Sequence, residues 1–514
     1  MKFSHFFLKY SAKRTLSLFI AVLLVFSSCA QAEAQKESAS TQLKEEKPQL
    51  SQAERSLLTR QYTDMIRSVF MFVEQNYVDE VDPTVLYEGA MKGMLDSLGD
   101  QYTVYLDKSQ MRDLNDTTTG NFGGVGLSIT KPNVSTPEKP AYVEVASPIE
   151  GTPGWRAGIQ AGDLIISIDD TNTADITMEE VLSKLRGTPN TDVKVVIRRG
   201  KNMEFPVVLT RAIIEVPSVK WCMIDDIGYL RITEFAANTP ERVQQALNSF
   251  EESNYKSMII DLRSNPGGLI NSVVEVADKF ISSGTIVSTK SRIQSENRVF
   301  SAKSNSTCVP KNMPVIVLIN RGSASASEIL SGALKDYHLA YLVGEKTYGK
   351  GLVQQVIPLN LNDDGFKFTT SRYYTPSGAN INKIGIPPDR EVLYPVLSED
   401  EEKAYIDLLN SGEIEKYAED HPDMTLADAE AFAKTLGKTY KLEDRVLRKL
   451  VRNQYYRKHT EPLYDLDYDI QLNEAIRIIR KENFNSLMKK TKTIIELQAE
   501  AEKKAAAEEK TSKN

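Results

Sequence analysis

The sequence predicts a multidomain α+β protein, because its hydrophobic pattern changes period three times along 514 residues. A helical period runs through residues 54–118, a short-strand pattern through 119–212, and an alternation of buried strands with amphipathic helices through 213–396. A highly charged, helical stretch occupies 397–514. The expected architecture is N-terminal helices, a small partly open β-barrel, an α/β core with a largely parallel sheet, and a helical C-terminal region whose polar tail from Glu496 frays.

The first 53 residues stand apart. Lys2, Lys9, Lys13 and Arg14 precede an apolar run, Leu16 to Phe26, that is too short to span a bilayer comfortably. Ser27, Ser28, Cys29 and Ala30 follow, so residues 1–29 read as a signal peptide and the protein is expected to be exported, to the periplasm. Ala30-Gln31-Ala32 suits ordinary cleavage. Cys29 instead suits lipidation and membrane anchoring, although Phe26-Ser-Ser-Cys29 departs from the usual lipoprotein pattern at its first and third positions. Residues 30–53 read as a disordered linker. A net charge of -7 supplies no basic field for nucleic acid. Cys222 and Cys308 are expected to be unpaired, and no metal-ligand spacing is present.

Leu57, Leu58, Tyr62, Ile66, Val69, Phe70, Val73 and Tyr77 recur at helical spacing; Pro83 opens a second helix and Gly99 ends it. Between Gly120 and Leu209 five or six short strands alternate with turns, and Thr177-Met-Glu-Glu180 is a capping box for one short helix. Then Ile227–Ile232, Ser257–Leu262 and Val315–Ile319 read as strands, with helices at Pro240–Phe250, Leu269–Phe280 and Ser325–Tyr337.

Three segments carry chemistry. Asn320-Arg-Gly-Ser-Ala-Ser-Ala-Ser-Glu-Ile329 joins a buried strand to a helix, which exposes a hydroxyl beside free N–H groups; Ser325 with Glu328 is equally a capping box. Gly344-Glu-Lys-Thr-Tyr-Gly-Lys-Gly351 nearly matches a phosphate-cradling loop, but Gly351 stands where a hydroxyl is needed and Leu352–Ile357 reads as strand. Its Lys350 is either an exposed loop lysine or, if desolvated, a neutral base. Asp261-Leu-Arg-Ser-Asn-Pro-Gly-Gly268 is a strand-to-helix turn or a source of oxyanion-binding N–H groups. Of four histidines only His338 falls in the core, at a helix end, so a Ser-His-Asp triad is not expected.

These three motifs, in this order, resemble those of the carboxyl-terminal processing proteases, PDZ-containing Ser-Lys peptidases. The resemblance runs from about residue 56 to 390 and includes Asp100-Gln-Tyr-Thr-Val-Tyr-Leu106. It implies a PDZ domain at 119–212 and a protease core at 213–396. It also implies Ser325 as nucleophile, Lys350 as general base and Gln354 as the residue orienting that lysine. Oxyanion donors would be Gly267 or Gly268 together with Ala326. Glu328 is read as a helix cap or support. Gly124-Val125-Gly126-Leu127 resembles the loop that captures a substrate's free C-terminal carboxylate, and Val181 and Leu185 either line its side-chain pocket or pack the core. Arg186 resembles a family arginine. The implied substrates are proteins or peptides with apolar C-termini, and no cofactor is needed. The C-terminal helices would self-associate, bind an adaptor or pack on the core. An alternative is a PDZ adaptor with an inactive protease fold; a nucleotide-binding use of the 344–351 loop is a third reading.

Overall fold

The computed structural model describes residues 50–132, 135–136, 140–149, 151–200, 203–359, 361–457, 459 and 461–512. The expected signal peptide, Cys29 and nearly all of the linker lie outside the described residues. The chain divides into two compact units at Met91. In the first, helix Gln52–Asn76 starts at Ser51, whose N–H donates to the Glu54 carboxylate at 2.8 Å while its hydroxyl accepts the Glu54 N–H, a reciprocal capping box. Pro83 opens the second helix as expected, with its missing N–H at a position that needs none.

The second unit begins with a short strand, Val104–Leu106, and helix Lys108–Thr119, which ends on Gly120 at φ 76°. A small barrel follows. Strand Asn121–Gly124 pairs antiparallel with Ala212–Glu215 and so ties its start to its end. Between them a sheet runs in the order Leu127–Thr130, Val143–Pro148, Leu164–Ile168, Asp192–Arg199, Met203–Thr210. Helix Met178–Leu185 is opened by the Thr177/Glu180 capping box. Inward residues at every second position, such as Val143, Val145, Val193, Val195 and Ile197, form the core.

The α/β core has a six-stranded sheet in the order Val219–Ile224, Ile227–Ile232, Ser257–Asp261, Val315–Ile319, Tyr341–Gly344, Arg390–Glu391. The first pair is antiparallel and the rest are parallel, as the sequence predicts. Every residue of Ser257–Asp261 and Val315–Ile319 is buried, the signature of a sheet covered on both faces. Helices Thr239–Glu252, Ile270–Asp278 and Ala326–Asp336 cover one face. A second sheet, entirely antiparallel, was not anticipated. Its long strand Gly365–Tyr374 pairs with Val104–Leu106, Thr285–Ser291 and Leu352–Pro358, and Arg298–Ser301 extends it.

The C-terminal region splits into two roles. Helices Glu399–Ser411, Glu413–Asp420, Leu426–Leu436 and Asp444–Tyr456 share a core of their own around Leu408, Ala429, Leu436 and Leu447. Helix Ile470–Lys481 then returns to the α/β core and buries Leu472, Ala475 and Ile478 against Tyr229, Ile259, Ile316 and Val343, covering the sheet's second face. Asp469, at its N-terminus, joins Asp261 in holding the Arg263 guanidinium, each at 2.6 Å. In keeping with the helical C-terminal region the sequence predicts, the polar tail from Glu496 lies in helix Ile494–Ser512. Its first residue is buried in the core, Asp336 accepts the Ile494 N–H at 2.8 Å, and its Ala-, Glu- and Lys-rich sequence has high intrinsic helix propensity.

Candidate active site

Ser325 sits between the buried strand Val315–Ile319 and helix Ala326–Asp336, with φ 54° and ψ -114°. Such a conformation costs on the order of 1–3 kcal/mol in a non-glycine residue and persists only where the surroundings enforce it. Here they do. Glu328 Oε2 accepts the Ser325 N–H at 2.9 Å, and the Tyr373 hydroxyl donates to the Ser325 carbonyl at 3.2 Å. On the flank, the Asn265 carbonyl accepts both the Ala324 N–H at 3.0 Å and the Ser327 hydroxyl at 2.9 Å. The serine turn is thereby fastened to the Asn265-Pro-Gly-Gly268 turn.

That turn requires its glycines. A Cβ on Gly267, at φ 109°, would lie 2.8 Å from Ser325 Cβ and 2.9 Å from the Ala326 nitrogen. One on Gly268, at φ 140°, would lie 2.3 Å from the Phe235 carbonyl oxygen. Of the two N–H groups expected to compete, that of Gly267 is taken by Asn265 Oδ1 at 2.9 Å. Gly268 and Ala326 donate no backbone hydrogen bond to another described residue, Ala326 because the first N–H groups of a helix have no partner within it.

The Lys350 loop meets the same carboxylate. Glu328 is fully buried on the first turn of the Ser325 helix. Its Oε2 accepts the Lys350 N–H at 2.8 Å as well as that of Ser325, and its Oε1 accepts the Gly349 N–H at 2.8 Å and the Thr347 hydroxyl at 2.6 Å. Burial pushes the Glu328 carboxyl up, against these four hydrogen bonds. The near-match to a phosphate loop is thus physically apt but misdirected: the backbone N–H groups of 349–350 do cradle an anion, and the anion belongs to the protein. Strand Leu352–Pro358 follows the loop, as the sequence indicates, where a phosphate loop would open a helix.

The Lys350 ammonium is half-buried and faces charges from several elements. Burial, reinforced by Lys367 on strand Gly365–Tyr374, lowers its pKa below the ordinary lysine value, against the opposing pull of Asp100 and Glu328. Its Nζ lies 4.7 Å from the centre of the Tyr102 ring. Asp100 and Tyr102 arrive through the pairing of Val104 with Lys367. The Asp100 carboxylate accepts the Thr103 hydroxyl at 2.7 Å and the Tyr102 N–H at 3.1 Å. Burial raises its proton affinity, but these bonds, one from Thr369 and the Lys350 charge hold it below the usual carboxylate range. Gln354 differs from expectation: a register shift between Val353 and Gln354 turns its amide to the Thr369 hydroxyl at 3.4 Å, so it reaches Lys350 through Thr369 and Asp100. The reach of Glu328 and the roles of Asp100, Tyr102 and Asn265 at the site were not read from the sequence, although all three residues fall within the motifs that carry the resemblance. For Glu328 the clue was its place three positions after Ser325.

His338 lies beyond the far end of the Ser325 helix, its Nδ1 2.7 Å from the Thr491 hydroxyl. Cys222 and Cys308 are unpaired. In the barrel, the Val125 carbonyl accepts the Gly154 N–H at 2.8 Å and that of Gly126 accepts Ile149 at 2.9 Å. Gly126 has φ 73°, and a Cβ there would lie 2.3 Å from the Thr152 side chain. The N–H groups of Val125 and Gly126 donate to no other described residue. Gly124 closes strand Asn121–Gly124, and Leu127 starts the edge strand of the barrel sheet. Val181 and Leu185 are core side chains, 0% and 4% exposed. Arg186 pairs with Asp113 and Asp116 of helix Lys108–Thr119 and stacks 5.0 Å over Phe122.

Residues 226–392 match the family model of peptidase family S41, 144–199 that of the PDZ domain, and 18–110 that of the activating protease CtpB N-terminal domain. The carboxy-terminal-processing protease of Bartonella bacilliformis is 40% identical over 333 residues, which cover 64% of this chain and 74% of that protein. The carboxyl-terminal-processing protease of Synechocystis sp. is 37% identical over 316 residues, 60% of this chain and 71% of that one. A solved photosystem II D1 C-terminal processing protease matches 64% of this chain and 92% of its own at 30% identity, with a TM-score of 0.38. The chain therefore belongs to the carboxyl-terminal-processing proteases of peptidase family S41, serine-type enzymes, and carries a PDZ domain.

Proposed function

We propose that the protein is an exported endopeptidase that cleaves near the C-terminus of protein substrates with a Ser325–Lys350 dyad. The observation that carries this reading is the single buried carboxylate of Glu328, which binds the backbone of both residues beside the Gly267-Gly268 turn. Neutral Lys350 takes the Ser325 proton, Ser325 attacks the scissile carbonyl, and the N–H groups of Gly268 and Ala326 hold the oxyanion. Each donor of this kind contributes about 3 kcal/mol to the transition state. Lys350 then protonates the leaving amine, and water hydrolyses the acyl-enzyme. Gln354 assists from a distance through Thr369.

Recognition falls to the PDZ domain. The free N–H groups of Val125 and Gly126 suit a terminal carboxylate, and the edge strand Leu127–Thr130 offers a ladder to which a peptide can add. Apolar C-termini are the expected substrates. Export follows from the basic and apolar first 29 residues, with Cys29 the candidate lipid anchor.

The test is cleavage of an unfolded reporter ending in small apolar residues by wild type, Ser325→Ala and Lys350→Ala. Turnover by wild type alone supports the dyad. Binding without turnover in wild type marks a PDZ adaptor, and activity in both variants overturns the assignment.

A further inference from the structure

Tyr102 is unused by the mechanism above, yet its ring lies 4.7 Å from Lys350 Nζ. It stands in the turn ahead of strand Val104–Leu106, 248 residues from the lysine in sequence. The turn is fixed on three sides. Asp100 accepts the Tyr102 N–H, Thr103 accepts the Thr369 N–H at 3.1 Å, and the Tyr102 hydroxyl meets that of Tyr348, in the lysine loop, at 3.3 Å. Among the described residues Lys350 Nζ makes no hydrogen bond, to Ser325 or any other group. The aromatic face is therefore where the lysine head rests. Aromatic faces attract ammonium ions and have no comparable attraction for neutral amines.

Resting on the dyad reading, we propose that Tyr102 is a positioning residue for Lys350: its ring seats the protonated ammonium, and the neutral amine leaves that seat to accept the Ser325 proton. Lys350 thus has two sites selected by its own protonation state, one on Tyr102 and one on the nucleophile. The groups facing it are Asp100, Glu328 and Lys367, with Tyr102 itself; the Tyr102 phenol is pushed up to about 12, first by burial and then by Tyr348, and stays neutral at ordinary pH. Because the ring favours the charged form, it raises the lysine's proton affinity and holds back the active base. Removing the ring must move the rise of activity with pH to lower pH.

The experiment compares the pH dependence of kcat/KM for full-length wild type, Tyr102→Phe and Tyr102→Leu on a reporter peptide with no ionising group in the working range. Tyr102→Phe keeps the aromatic face and loses only the hydroxyl's contacts with Tyr348 and Gln101, so its acid limb stays with wild type. Tyr102→Leu shifts that limb down by about 0.5 pH unit, the size of one partly exposed cation–π contact. An unmoved limb in Tyr102→Leu overturns the proposal, as does an equal shift in Tyr102→Phe. Should the leucine variant be too weak to assay, carbon-13 NMR of labelled lysine in the Ser325→Ala background reads the Lys350 titration directly, its signal assigned by loss in Lys350→Ala. The same downward shift supports the seat and its absence refutes it. Activity surviving in Lys350→Ala would instead overturn the dyad, and the titration would still decide whether Tyr102 seats the lysine.

Discussion

Replacing Glu328 by glutamine changes one atom in a buried site where four donors converge. In the orientation that damages least, the amide oxygen takes the Oε2 position and keeps Ser325 and Lys350. The NH2 group then faces the Thr347 hydroxyl, which can reverse and accept, and the Gly349 N–H, which cannot. One buried N–H left unpaired costs about 1–3 kcal/mol, and two charge-assisted bonds fall to neutral strength. Relief of the buried charge, visible in the raised Glu328 pKa, offsets part of this. The net loss is about 2–4 kcal/mol in unfolding free energy. Gly349 directly precedes Lys350, so the lysine moves with it, and a shift of the order of 1 Å in a reacting group lowers kcat by roughly 10- to 100-fold. Denaturant titration and single-turnover cleavage measure the two effects. A variant within about 0.5 kcal/mol of wild type whose kcat is unchanged would refute the idea that this carboxylate locks nucleophile and base together.

The lowered Lys350 pKa means that the fraction of neutral base, and with it kcat/KM, rises with pH along a limb centred below the ordinary lysine value of 10.5; a limb at or above that value would count against Lys350 as base. Gly268→Ala brings a Cβ to 2.3 Å from the Phe235 carbonyl at φ 140°, so the turn must move; kcat is expected to fall at least tenfold with little change in PDZ-mediated peptide binding, measured by fluorescence anisotropy. Leu472→Ala empties a fully buried position against the sheet and is expected to lose about 2–5 kcal/mol in chemical denaturation. A much smaller loss would mean that helix Ile470–Lys481 is not part of the core.

Local rules made much of this fold readable. The box at Thr177 and the proline at 83 placed helix starts, and unbroken apolar runs such as Val315–Ile319 announced strands buried on both faces. Of the antiparallel sheet around Gly365–Tyr374 only the strand at 352–357 was read; Thr285–Ser291 and Gly365–Tyr374 mix polar and apolar residues without a clean period, and three-residue Val104–Leu106 is too short to register. That omission hid half of the lysine's environment, since Asp100 and Tyr102 reach it only through the pairing of Val104 with Lys367. The competition between Gly267 and Gly268 was equally illegible. It is decided by where the Asn265 side chain points, a rotamer that no spacing encodes.

Ile494 lies in the same hydrophobic core as the helix that carries Ser325, yet 169 positions later, and the four helices of 399–456 intervene with a core of their own. Those helices are therefore an insertion within a folding unit, not an appendage to its end. A chain emerging N-terminus first holds its serine, lysine and oxyanion turn well before it holds the helix that roofs the sheet's second face. A chain that stops short of residue 470 therefore leaves Tyr229, Ile259, Ile316 and Val343 without the side chains that bury them, so the α/β core depends on residues that lie beyond the four-helix insertion.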